Sequence, residues 1–352
     1  MNPALGTLHQ NNVIVDKPKD IGRLFGKSKF GILLSKNKLR LDFLEACFLS
    51  EEKKLVVYDE DKQLSFEKLI SIAATKQDRF ETNYIIFRDL RHRGHQIQLL
   101  KGDSIFNFYT TNNQDQQEPP SLIATFSERE SCSIQTLLNL IQHSKKQNTQ
   151  CWITIADEEG DITYYDLDSR PLTGEKKPAS FQQTKGILLK DRVLIFNDQL
   201  ARILHEKEFF GKKFVEGIQI SLVEALYLVE KNVLEISLPT GKKLSKQQFE
   251  KTVTNRQTDI QKRYIVYTDL KKQGLLVKTG FKFGNHFRAY SAEPDKTHAE
   301  YLIHAVPFED TLEWAEVSRA IRLAHSVNKV FLFASIGEKD QIHYIAFKRI
   351  RP

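Results

Sequence analysis

A mixed α+β fold, built as two tandem copies of one unit, follows from three features of the 352-residue sequence. The chain is too long for one ordinary domain and comfortable for two. It repeats itself, in order, over most of its length. Within each copy, short apolar runs bounded by turn residues alternate with stretches of helical periodicity. Residues 84–94, YIIFRDLRHRG, return as residues 264–274, YIVYTDLKKQG (84 to 264, 180 positions). Residues 12–15 are answered by 192–195, 106–109 by 287–290, Leu122-Ile123 by Leu302-Ile303, His143-Ser144 by His325-Ser326, and Arg170-Pro171 by Arg351-Pro352. So many matches at nearly one spacing mean domain duplication, since solenoid repeats run only ~20–50 residues.

Copy one takes residues 1–171. A polar linker follows over 172–185, with Gly174, Pro178 and Ser180 as breakers. Copy two divides into an N-terminal subdomain, 186–255, and a second subdomain, 256–352. In the first of these, SLVEALYLVEKN sets Leu222, Ala225, Leu226 and Val229 at helical spacing, and Pro239 with Gly241 marks a turn. In the second, Tyr264, Tyr267 and Leu270 predict a helix that Gly274 closes as its C-cap. Strands are predicted over 275–280, 286–291 and 300–307. A helix is predicted over 311–326, with Val317, Ala320, Ile321 and Ala324 as its apolar stripe. Strands over 329–336 and 341–350, joined by GEKD, close the copy as a mixed sheet.

Composition narrows the class. A hydrophobic fraction of 40% with 28% charged residues is globular rather than disordered. The net charge of +7 suits a polyanionic partner. Cys47, Cys132 and Cys151 are few and scattered, which argues against a disulfide framework or thiolate zinc site and fits a reducing cytoplasm. No apolar run approaches the roughly 20 residues of a membrane span, and the N-terminus lacks a signal-peptide pattern. A cytoplasmic protein with no membrane partner is the expectation.

The two copies differ in chemistry. Copy two carries Lys278, Lys282, His286, Arg288, His298, His304, Arg319, Arg322, His325 and Lys329, and copy one loses most of these. By spacing, His298 falls at Glu118, Lys329 near Gln147, and Arg319 and Arg322 near Leu137 and Leu140, while Tyr290 keeps Tyr109 as its partner. Loss of a histidine and a lysine together, with the apolar framework kept, points to one active and one inactive copy. Histidine exchanges protons near neutrality. Lysine is a compact cation suited to charge developing on a phosphate oxygen. Tyrosine exchanges a proton at its hydroxyl when cations lower its pKa of about 10. Such a set needs no metal or other cofactor if the substrate brings its own nucleophile, as RNA does in its 2′-hydroxyl. His286, His298, His304 and His325 fit no standard metal-ligand spacing. Pro294-Asp295 suggests a metal-dependent nuclease only loosely, and TNNQDQQEPP (111–120) reads as a polar loop of copy one.

The runs KTGFKFGNHFRAY (278–290), HAEYLIHAVP (298–307) and SRAIRLAHSVNK (318–329), with the ending KRIRP, resemble the archaeal tRNA splicing endonuclease (tRNA-intron endonuclease) family. The likeness is close over 264–352 and holds elsewhere at the level of the repeat. Length and duplication are similar to the branch whose chain fuses two units and works as a homodimer. The resemblance implies roles. Tyr290, ending the FRxY run, would be general base; His298, opening HAxYL, general acid; Lys329, closing LAHSVxK, the group that stabilises the pentacovalent phosphate. Arg322 and one cation of the C-terminal strand, Arg349 in preference to Lys348 or Arg351, would hold a bulged base, as guanidinium planes can on any base. Asn328 stands where the family has arginine. The loop Asp157, Glu158, Glu159, Gly160 and Asp161 in the inactive copy would dock on a basic pocket of the partner subunit's active copy. The implied substrate is precursor tRNA, cut at both splice sites of a bulge-helix-bulge, with 2′,3′-cyclic phosphate and 5′-hydroxyl ends. The alternative is a non-catalytic subunit that binds or scaffolds structured RNA. It would expect decay of Tyr290, His298 or Lys329, and all three are present.

Overall fold

One strand order is laid down twice. The computed structural model describes residues 2–100, 107–111, 120–177, 182–196, 199–293 and 298–352. The polar stretch at 112–119, Glu118 included, lies outside them, as do Phe106, Pro178, Ser180 and Pro294-Asp295. Each copy opens with a six-stranded sheet whose fourth and fifth strands run parallel: Ala4–His9 beside Leu55–Asp59 in copy one, Thr184–Leu188 beside Leu234–Ser237 in copy two. The intervening helices, Phe43–Glu51 and Leu222–Glu230, each start at a capping box, Asp42 with Glu45 and Ser221 with Glu224. Both glutamates also reach across to the edge of the sheet, accepting the backbone N–H of Gly31 at 2.7 Å and of Gly211 at 2.9 Å. Burial pushes the Glu45 carboxyl up to about 7.

The second halves of both copies share a single ten-stranded sheet. From one edge it runs Leu276–Thr279, Phe287–Tyr290, Tyr301–Pro307, Val330–Ile336 and Ile342–Ile350. It continues through copy one as Ile162–Ser169, Gln150–Ala156, Ser121–Ser127, Phe108–Thr111 and Gln96–Leu99. The seam is antiparallel. Leu167 faces Phe347 across it, and these are each other's counterparts in the repeat (167 to 347, 180 positions). A second seam pairs Ser131–Ser133 with Thr311–Glu313, where Cys132 faces its own counterpart Leu312. An internal pseudo-dyad therefore relates the copies, as a true dyad relates the subunits of an isologous dimer. One core seals the seam: Tyr165, Leu167, Trp314, Phe331, Phe347 and the apolar faces of helices Ile134–Lys146 and Trp314–Ser326. Tertiary hydrogen bonds repeat as well, with the Tyr164 hydroxyl on Asp89 at 2.6 Å and Tyr344 on Asp269 at 2.7 Å.

Three expectations need correction. Residues 311–313 are not helical; pairing across the seam claims them as a strand, and the helix begins at Trp314. The linker is shorter than 172–185, because Thr184 and Lys185 already pair with Leu234 and Glu235. It is also packed: Leu172 is buried, Gly174 donates to Gln273, Glu175 to Ser291 and Lys176 to Gly274. Copy two likewise opens before residue 186, with the strand Thr184–Leu188 that answers Ala4–His9 of copy one. Cys47, Cys132 and Cys151 are buried free thiols, pushed up to about 12 by burial. Among the described residues no helix is long and apolar enough to cross a membrane.

Candidate active site

The sheet brings the expected triad to one end. Ala289 faces Tyr301, and Tyr301 faces Val330. Tyr290 therefore ends its strand where two neighbouring strands begin, with His298 three positions before one and Lys329 immediately before the other. Lys329 is held by a helix terminus. Its N–H bonds the Ala324 carbonyl, the Asn328 N–H bonds that of His325, and Asn328 adopts the left-handed conformation at φ 53°. That is a Schellman closure of helix Trp314–Ser326, at a position asparagine tolerates.

Side chains tighten the group. The Lys329 ammonium donates to the Ala299 carbonyl at 2.9 Å, beside His298. Ala299 is buried against Leu276 and Tyr290, with Phe209 packed over them. Tyr290 is 8% exposed, while His298 stands in solvent. The Arg288 guanidinium lies 5.9 Å from the centre of the Tyr290 ring, and its buried Nε finds no partner among the described residues. Burial first, and then Arg288, hold the Lys329 ammonium below the usual lysine range.

Tyr290 and Arg288 line a cavity of about 820 Å³ between the two subdomains of copy two. Arg192, His205, Lys212, Lys213 and Lys278 line it as well. Lys278 spans the gap, donating to the Gly211 carbonyl at 2.7 Å, and burial lowers its pKa. Copy one keeps the cavity, at about 730 Å³, but at the equivalent positions it carries Asn12, Phe25, Ile32, Leu33, Gln98 and Tyr109. Six basic positions have become neutral. Four of the six, Arg192, His205, Lys212 and Lys213, lie in the N-terminal subdomain, and aligning 12–33 with 192–213 at the spacing of 180 displays them in the sequence.

The ladders also correct the assignment of counterparts. Tyr109 faces Gln98 and Leu122, as Arg288 faces Lys278 and Leu302. Tyr109 is thus the counterpart of Arg288, and Thr111, opposite Gln96, stands where Tyr290 stands opposite Leu276. The turn before this strand is one residue longer in copy one, and matching FNFY to FRAY sets the two strands two residues out of register. Asn148 repeats the left-handed helix closure of Asn328, which makes Thr149 the counterpart of Lys329 in place of Gln147. The helix offset of 180 then aligns Arg319 with Asn139 and Arg322 with Gln142, and it sets His143 against Leu323 (Ile134 to Trp314).

The remaining expected residues are distributed around this centre. Arg322 is exposed on helix Trp314–Ser326 and Arg349 is exposed on the last strand; both act electrostatically on the Tyr165 hydroxyl, so they flank one spot on the seam. Asp157, Glu158, Glu159 and Asp161 form the turn after Gln150–Ala156. Asp157 Oδ1 accepts the N–H groups of Glu159 at 3.0 Å and Asp161 at 2.8 Å, and Glu158 pairs with Arg129. His286 and His304 stack, and among the described residues no three His, Cys, Asp or Glu side chains gather at one point.

The class of this duplicated sheet fold, the endonucleases that cut tRNA introns, follows from its family matches. The tRNA intron endonuclease catalytic C-terminal domain matches residues 260–344, and the N-terminal domain of the same family matches twice, at 4–70 and 184–250. A tRNA-splicing endonuclease of Methanococcoides burtonii is 34% identical over 97% of this chain and 98% of its own. That of Methanosarcina mazei is 31% identical over 89% and 90%. That of Methanothermobacter thermautotrophicus is 35% identical over 48% of this chain but 99% of its own, the length of a single copy. The chain belongs to the tRNA intron endonuclease family, and its activity is endonucleolytic excision of introns from tRNA.

Proposed function

We propose that copy two cuts precursor tRNA at both splice sites of a bulge-helix-bulge by metal-independent transesterification. The observation that carries this reading is the convergence of Tyr290, His298 and Lys329 at one end of three adjacent strands. Tyr290 removes the proton from the 2′-hydroxyl, and the oxygen attacks the adjacent phosphorus. Lys329 stabilises the charge on the pentacovalent phosphate. His298, the exposed member, protonates the departing 5′-oxygen. The products are a 2′,3′-cyclic phosphate and a 5′-hydroxyl, lyase-type cleavage with no cofactor. Arg322 and Arg349 clamp an unpaired base of the bulge.

Residues 1–171 serve as the inactive copy and 256–352 as the catalytic subdomain, with 186–255 as the N-terminal subdomain of the active copy. The acidic turn of the inactive copy docks on the basic cavity of the partner subunit. A carboxylate-rich loop and a groove with six basic positions on one chain are self-complementary, and a two-fold axis closes the contact. His298→Ala tests the chemistry. Single-turnover cleavage should fall by about 100-fold or more, with RNA affinity largely kept. An unchanged rate would remove His298 from the mechanism.

A further inference from the structure

Strands Leu276–Thr279 and Phe287–Tyr290 are joined by a turn that carries two aromatic rings with opposite exposure. Phe283 packs at the fringe of the seam core, and its ring centre lies 5.9 Å from the Lys329 ammonium. Phe281, two residues earlier, is 88% exposed. Two residues span at most about 7 Å of chain. Lys282 between them is exposed. The turn is firmly built. Phe283 donates to Gly280 at 2.7 Å, Gly284 to Phe281 at 3.0 Å, Gly280 to His286 at 3.0 Å, and the Asn285 amide to Phe283 at 2.7 Å. Gly284 takes a φ of 66°, and a Cβ on Gly280 would lie 2.8 Å from the Phe287 backbone.

A lone exposed apolar side chain needs no explanation. This one is fixed on a hydrogen-bonded turn, beside the exposed Lys282 and two residues from the ring that lies 5.9 Å from the Lys329 ammonium. Copy one, whose sequence between Leu99 and Phe108 is LKGDSIFN, has no Phe-Lys-Phe there. We propose that Phe281 is a stacking platform for an unpaired base of the precursor tRNA next to the cleaved bond, with Lys282 on the adjoining phosphate. An aromatic face accepts any base, and a neighbouring lysine suits a strand read by shape. This inference rests on the reading of Lys329 as part of the active site.

The test uses the full chain and an intron-bearing tRNA with 2-aminopurine at the unpaired bulge positions. Phe281→Ala should weaken binding and raise KM about tenfold, the size of one lost base–aromatic stack, with a smaller effect on kcat. The fluorescence quenching of a stacked 2-aminopurine should disappear. Phe281→Trp should restore both, and Phe281→Leu neither. Unchanged affinity in Phe281→Ala, or full activity in Phe281→Leu, overturns the platform. So does a loss of self-association with RNA affinity intact, which would make the turn a protein contact. Wild-type cleavage by His298→Ala and Lys329→Ala alongside tenfold weaker binding by Phe281→Ala would sink the site reading and leave the platform standing.

Discussion

At the scale of single residues, the site is a cation-rich corner in which the Arg288 guanidinium and the Lys278 ammonium share one pocket wall. Arg288 lies over the Tyr290 ring, and after burial it is the second cause that lowers the pKa of Lys329. Arg288→Gln should therefore raise that pKa. If Lys329 must be charged to act, the alkaline limb of the single-turnover pH profile moves to higher pH; a limb that stays put or moves down would contradict the tuning. Tyr290, His298 and Lys329 could be singled out as candidates because they sit in distinctive runs of sequence. Their counterparts in copy one were not. A one-residue difference in turn length hides in a loose FxxY match, and only strand pairing shows that Thr111 and Thr149 hold the places of Tyr290 and Lys329. Arg288 was visible only as one of many basic residues, because its burial against Tyr290 depends on a fold the sequence does not display.

At the scale of elements, the helices and strands of the second half of copy two followed from periodicity, and the misses there and in the linker have one physical cause. Thr311–Glu313 and the linker take their conformation from partners far away in the chain. Local propensity carries no trace of such partners. The linker crosses so close to the catalytic half that a Cβ on Gly174 would lie near the Gly274 carbonyl. Gly174→Ala should lower unfolding stability by about 1–3 kcal/mol, read from the denaturant midpoint; no loss would mean the crossing is slack. The stacked His286–His304 pair, ring centres 4.1 Å apart, makes a second element-level test. Around it stand Asp259, Lys262, Arg263, Asp310 and Glu316. Burial first, then His304, holds His286 at about 3, and burial first holds His304 below the usual histidine range. The unfolded chain takes up these protons below about pH 6.5 and the folded chain does not. Their contribution is therefore complete above that pH and is lost as pH falls from there toward 3. His304→Phe should flatten the drop in unfolding free energy between pH 7 and 4.5; an identical drop would clear the pair.

At the scale of the whole molecule, duplication converts an assembly problem into a fold. The seam in which Leu167 meets Phe347 and Cys132 meets Leu312 does inside one chain what an isologous interface does between two. The copies differ in chemistry: the basic cavity and Tyr290, His298 and Lys329 lie on one, the acidic turn on the other. Replacing Asp157, Glu158, Glu159 and Asp161 by Asn or Gln should weaken self-association in sedimentation velocity, and added salt should weaken the wild type in the same way. A dimer indifferent to both would remove the docking contact. The central claim is that copy two cleaves RNA through the substrate's own 2′-hydroxyl. It is met most directly by end-group analysis after cleavage of an intron-bearing precursor tRNA in EDTA. A 2′,3′-cyclic phosphate and a 5′-hydroxyl at each cut are the expected result. A 3′-hydroxyl with a 5′-phosphate, or cleavage that returns only with Mg²⁺, would contradict it.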